Sequence, residues 1–219
     1  MKFHSLVGAV AGVAICATVS AAQVCQGDLS FRSSSKHIGG ALGMSNNATS
    51  FGGGLTAGHA QGWYGGGSLG VVSYDPTGSA IAVGGGLGYA MAMQKSKWQV
   101  CPGGTLTLGF GPSITTGAGT VHGSSQTITL GASFGTVMPL TKSTNLLPFG
   151  SVAFGHTRVA QKFNGQSASA GDGYLLLGAG AGFQLTPSLV LRPALSLAAG
   201  ADFIDDTAFS LGVTFALPH

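Results

Sequence analysis

The chain contains no glutamate, and charged residues make up only 7% of its 219 positions, against roughly 25% in ordinary soluble domains. Water must be met by polar groups, so a soluble enzyme with a wetted surface of this composition is a poor reading. The acids are Asp28, Asp75, Asp172, Asp202, Asp205 and Asp206. A paired-carboxylate hydrolase could use only Asp205 and Asp206, and neighbours on a strand point to opposite faces. A net charge of +3 with singly scattered basic residues offers no patch for a nucleic acid. His37, His59 and His122 are dispersed without metal-ligand spacing. No Lys-Ser/Thr follows the glycine runs Gly52 to Gly54, Gly65 to Gly67 and Gly84 to Gly86, so they are not phosphate loops. Their physical use is strand curvature and close backbone packing. No catalytic, cofactor-binding or metal-binding residue is assigned, no cofactor is implied, and the chain is read as non-enzymatic.

What is present is 44% apolar residue and 39 glycines with 8 prolines. Glycine and proline together reach about a fifth, below the roughly 25–30% of low-complexity disorder. Lys2 and His4 precede an uncharged apolar run from Leu6 to Ala17, and Val19, Ser20, Ala21 and Ala22 supply small residues. This is the pattern of a cleaved export signal over residues 1–22, with the mature chain starting at Gln23. The run is too short for a spanning helix, which needs about 18 apolar residues or more. Cleavage removes Cys16 and leaves Cys25 and Cys101, an even pair in an oxidising compartment, expected to form a disulfide.

Beyond residue 35, stretches of alternating apolar and small residues are separated by turn clusters. Period-two matching gives strands at 36–44, 49–59, 63–74, 79–93, 98–111, 127–138, 146–157, 174–185, 189–202 and 207–217. Fusing the weak early strands would give eight rather than ten. In the fourth, Ile81, Val83, Leu87, Tyr89, Met91 and Met93 oppose Ala80, Ala82, Gly84, Gly86, Gly88, Ala90 and Ala92. In the ninth, leucines oppose Arg192, Ala194, Ser196 and Ala198. A soluble sandwich would carry Lys, Glu and Thr on one face. Here that face is small and almost uncharged, so the bulky side meets lipid and the small side lines a lumen. The chain is therefore expected to be all-β: a closed antiparallel transmembrane barrel of about ten strands over residues 36–217. Arg192, Ser196, Gly84, Gly86 and Gly88 are assigned to the lumen, and outer-membrane lipid is the surrounding partner.

With both termini periplasmic, the longest connections, Ile114 to Gln126 and Arg158 to Gly173, fall outside the cell, while 141–145 and 186–188 are tight inner turns. Cys101 falls on the inner side, where the bond to Cys25 would staple a periplasmic N-terminal lead, residues 23–35, to the barrel rim. Trp63, Tyr64, Trp98 and Phe215 near inner strand ends, and Tyr74 and Tyr174 near outer ones, are candidate girdle aromatics.

These residues resemble the Gly-rich outer-membrane β-barrel proteins of Gram-negative bacteria, of the opacity-protein and OmpA-like class. The most specific match is the C-terminal pattern Ser210, Gly212, Phe215 and Leu217. The resemblance implies that the barrel-assembly machinery reads this segment, with periplasmic chaperones, during biogenesis. The chain departs from the pattern by ending in Pro218 and His219 rather than phenylalanine. His156, in Phe154-Gly155-His156-Thr157-Arg158, lacks the His-x-Ser-Asn run of outer-membrane lipid deacylases and is read as a strand-end residue at headgroup level. Two roles stay open: a structural or surface-interaction barrel working through outer loops around Val121 and Asn164, and a small passive channel with a Gly/Ala/Ser/Thr-lined lumen.

Overall fold

The computed structural model describes residues 23–31, 34–74, 78–93, 96–116, 119–141, 143–163, 166–202 and 205–217, with side chains of 112–119 left aside. The expected export signal, 1–22, and Asn164 lie outside the described residues. After a single 3-10 turn at Val24–Gln26, ten long strands follow: β1 (Lys36–Ser45), β2 (Ala48–Gly58), β3 (Gly62–Tyr74), β4 (Gly78–Ala92), β5 (Trp98–Thr116), β6 (Gly119–Thr136), β7 (Asn145–Phe163), β8 (Gln166–Thr186), β9 (Leu189–Ala199) and β10 (Thr207–Ala216). A two-residue bridge, Met138–Pro139, pairs beside Leu146 and Asn145.

Each strand pairs antiparallel with its sequence neighbours, and β1 pairs with β10, His37 opposite Ala216 and Ser45 opposite Ala208. The ring is closed and leaves no edge, which is what hydrocarbon demands of a β structure. The early glycine-rich strands are separate: Gly39 faces Gly54 between β1 and β2, and Gly66 faces Gly86 between β3 and β4. Ten strands stand, not eight.

The bulky face points out. Leu42, Phe51, Leu69, Ile81, Leu87, Leu130 and Phe154 are between 50% and 65% exposed, while their chain neighbours on the inner face are small or buried. Thirty-odd such side chains in water would be an untenable apolar surface, and around a closed barrel they form the lipid-facing belt. At the end carrying both termini, Trp63 packs edge-on against Tyr89 (5.2 Å) and Trp98 lies tilted over Phe134 (6.2 Å). With Phe215 these face outward as a girdle.

Tyr64, Tyr74 and Tyr174 do not join it. Their exposures are 4%, 4% and 2%, and all three point into the barrel. The reason is local: Tyr64 is opposite Gly88 and Tyr174 opposite Gly155, and a Cβ at either glycine would collide with the tyrosine ring. The ring lies flat over a cross-strand glycine, filling space that a side chain would otherwise take.

The four strands β5 to β8 contain 19, 18, 19 and 21 residues, whereas β1 and β10 have 10 each. The segments expected as loops, Ile114 to Gln126 and Arg158 to Gly173, are paired: Val121 opposite Phe163, Gln126 opposite Arg158, Lys162 opposite Ser167. At about 3.3 Å per residue, a 19-residue strand is roughly twice as long as a 25 Å apolar band requires. Half of β5 to β8 therefore continues as a sheet beyond the rim, at the end away from the termini.

Candidate functional site

The lumen is built from the small inner face. Thr105 and Thr129 share a hydrogen bond (2.6 Å), as do Thr127 and Thr157 (2.9 Å). Thr157 also meets the Tyr174 hydroxyl at 3.2 Å. These cross-strand hydroxyl pairs satisfy polar groups that no water-exposed face serves. Gly84, Gly86 and Gly88 alternate with the outward Val83, Gly85 and Leu87 and lie on the inner side, with Gly86 lining a central cavity of about 210 Å³. Ser196 and Ser210 line it too, and Ser196 Oγ donates to the Ala208 carbonyl.

The floor of that cavity is the N-terminal lead. Cys25 and Gln23 have no exposure, and Asp28, Leu29 and Phe31 expose 1%, 2% and 6%. The lead touches the inward face around the ring. Cys25 is bonded to Cys101 on β5, Gln26 Nε2 donates to the Tyr64 hydroxyl on β3 (3.2 Å), and Thr214 on β10 donates to Asp28 (2.8 Å). Phe31 stacks on His37 of β1 at 4.5 Å, and Leu29 packs with Leu147 and Val190. A segment met from so many strands at once can only lie inside them. It was expected at the rim, joined there by the disulfide. Instead, residues 23–31 form a plug within the end of the barrel that carries the termini.

Glycine makes the seat. A Cβ on Gly182 would run into the Gly27 carbonyl, and one on Gly135 into the Val24 carbonyl. Gly27 itself takes φ +70°, a conformation costly for other residues, and its missing side chain leaves room for the Phe149 ring.

Arg192, assigned to the lumen, lies on its inner face beside the N-terminal lead. Its Nη1 donates to the Gln26 carbonyl (3.1 Å) and lies 3.8 Å from Asp28 Oδ2. Asp28 further accepts from the Leu29 amide at 2.8 Å. Composition could not reveal this, because the partner sits 164 residues upstream in a segment without strand periodicity. Of the assembly pattern, Phe215 faces outward, Ser210 lines the cavity, Gly212 lies under the Arg192 guanidinium, and the Leu217 amide donates to the Lys36 carbonyl.

The other residues weighed for chemistry are apart. Asp205 accepts from the Asn47 amide and side chain (3.2 and 2.6 Å), tying two turns together. His156 is exposed on the outer face of β7. Among the described residues no three His, Cys, Asp or Glu side chains gather as a metal site.

The family model of the outer membrane protein beta-barrel domain matches residues 12–216. No curated protein matches the sequence. Among solved structures the chain is similar to Ail, the attachment invasion locus protein of Yersinia pestis, at 17% identity, covering 83% of this chain and 96% of that one with a TM-score of 0.43. It is similar to the N-terminal β-barrel domain of Pseudomonas aeruginosa OprF at 14% identity, 82% and 95% coverage and a TM-score of 0.40. For the β domain of the Bordetella autotransporter BrkA the figures are 16%, 84%, 100% and 0.48.

Proposed function

Because the chain belongs to the outer membrane protein beta-barrel domain family of Gram-negative bacteria, we propose that it is a non-enzymatic surface-interaction barrel, working through the sheet that β5 to β8 raise above the membrane. The observation that carries this reading is the strand extension itself. Paired backbone carries two hairpins clear of the apolar belt, in one four-stranded surface. Backbone already paired as sheet has less to order on binding than unpaired loops do. The passive-channel reading is weaker, because the plug fills the lumen at the end with the termini.

In this reading residues 1–22 are removed on export, that end of the barrel is periplasmic, and the tips lie outside the cell. The Ser210 to Leu217 segment is the part offered to the barrel-assembly machinery and its chaperones. The deciding experiment deletes residues 113–122 and 160–169 together, shortening both hairpins in register. Bacteria displaying the shortened barrel should lose adhesion to host or neighbouring cells, while the SDS-resistant, heat-shifted gel band persists. Unchanged adhesion with an intact band overturns the proposal.

A further inference from the structure

The cavity above the plug concentrates its polar chemistry at two points. At one, Arg192 of β9 places Nη1 on the Gln26 carbonyl (3.1 Å), the single hydrogen-bond acceptor its guanidinium meets among the described residues. Asp28 does not take up the remaining donors. Its Oδ1 accepts from the Leu29 amide and its Oδ2 from the Thr214 hydroxyl, both at 2.8 Å, while Nη1 stands off at 3.8 Å. A charge-assisted hydrogen bond would close to about 2.7–2.9 Å. Nε and Nη2 lie over Gly212, 3.5 and 3.6 Å from where a Cβ would sit, and their N–H groups are left to donate elsewhere.

At the other point, Ser133 of β6 lines the same cavity. It is 6% exposed, and its Oγ meets no hydrogen-bond partner among the described residues. A buried hydroxyl left so is costly, and one that opens on a cavity can take its partner from whatever enters. Strands β6 and β9 are three apart in the ring of ten, roughly 16 Å between backbones. A single small ion therefore cannot serve both points. Between them the walls are the bare backbone of Gly103, Gly131 and Gly178, with the Phe149 and Tyr64 rings. The volume of about 210 Å³ equals about seven waters, or a molecule of about ten non-hydrogen atoms.

We infer that this cavity binds a small ring-bearing monocarboxylate with a hydroxyl at its far end. The carboxylate lies on the Arg192 fork, whose planar donors match its two oxygens; the ring lies along the glycine walls; and the hydroxyl meets Ser133 Oγ. Arg192 is the one cation among the described residues lining the cavity, so the second charge of a phosphate ester would be buried uncompensated. The site is inside the barrel and does not depend on the hairpins raised above the membrane.

The test is titration calorimetry on the refolded barrel in detergent micelles, its folding checked by the heat-shifted gel band. The probes are 4-hydroxybenzoate, benzoate, the neutral 4-hydroxybenzamide, acetate and inorganic phosphate, each corrected for protein-free micelles. Wild type should bind 4-hydroxybenzoate about fivefold more tightly than benzoate. Ser133→Ala should erase that difference and leave benzoate affinity unchanged, which a merely loosened barrel would not do. Arg192→Lys keeps a positive charge beside Asp28 but loses the fork, and should weaken both benzoates about tenfold. Absence of heat from 4-hydroxybenzoate with folded wild type overturns the proposal, as do affinities that neither variant changes. Equal binding of the amide overturns the role of Arg192, and equal binding of acetate or phosphate overturns the ring-bearing carboxylate.

Discussion

The Arg192 guanidinium lies 3.8 Å from the Asp28 carboxylate, joining the ninth strand of the wall to the segment that plugs it. Burial pushes the Asp28 carboxyl above the ordinary carboxylate range, and the guanidinium, the Leu29 amide and the Thr214 hydroxyl draw it part of the way back. The folded protein thus holds this proton more tightly than the unfolded chain. Stability is gained as pH falls through the raised value toward 3.8, and lost as pH climbs above it. In Arg192→Gln the carboxylate keeps its burial and loses its counter-charge, a loss of about 3–5 kcal/mol at neutral pH. Urea unfolding at pH 8 and pH 5 should show the variant's deficit shrinking at the lower pH. A deficit that grows with acid would contradict this.

Loss of the disulfide should loosen the plug before it loosens the barrel. Closing a 76-residue separation gives an upper figure of about 4.5 kcal/mol from loop entropy. Cys25→Ser/Cys101→Ser should therefore unfold at lower urea concentration, by about 2–4 kcal/mol, while still giving the heat-shifted band.

Planar bilayers separate plug from wall. The intact protein should give no conductance steps. Deleting residues 23–31 should give them, because apart from Tyr64, Tyr74, Tyr174, Arg192 and a few apolar side chains the remaining inner face is small, around a cavity already about 210 Å³ in volume. Steps from the intact protein would restore the channel reading.

The glycine seat predicts a position-specific effect of one methyl group. Gly182→Ala drives a Cβ into the Gly27 backbone and should cost about 1–3 kcal/mol, as overpacking does. Gly67→Ala has its nearest contact at 3.7 Å and should change the urea midpoint little, by about 0.5 kcal/mol or less.

The belt predicts depth dependence. Leu87, 60% exposed on the outer face of β4, should tolerate arginine poorly, losing about 2–4 kcal/mol in vesicles. Gln126→Arg, above the belt on β6, should lose about 0–1 kcal/mol. Equal losses would mean that the bulky face is not immersed in lipid.

Alternation by itself gave about ten strands, with eight left open, and the inward and outward faces of β4 and β9; the pairing of Cys25 with Cys101 came from the even cysteine count left after cleavage. Alternation can do so because period two is a property of each strand alone, and a lipid-immersed wall obliges every spanning strand to obey it. The tertiary structure decided the rest. Trp63 and Tyr64 are adjacent, so they must take opposite faces, but only the register that brings Gly88 across from Tyr64 shows which ring has room inside. The upper parts of β7 and β8 have polar residues on both faces and no alternation to read; cross-strand hydrogen bonding makes them, with the upper parts of β5 and β6, sheet. Residues 23–31 have no period at all. Their place in the lumen rests on long-range contacts, Asp28 with Arg192 and Thr214, Gly27 with Gly182, which no local pattern encodes.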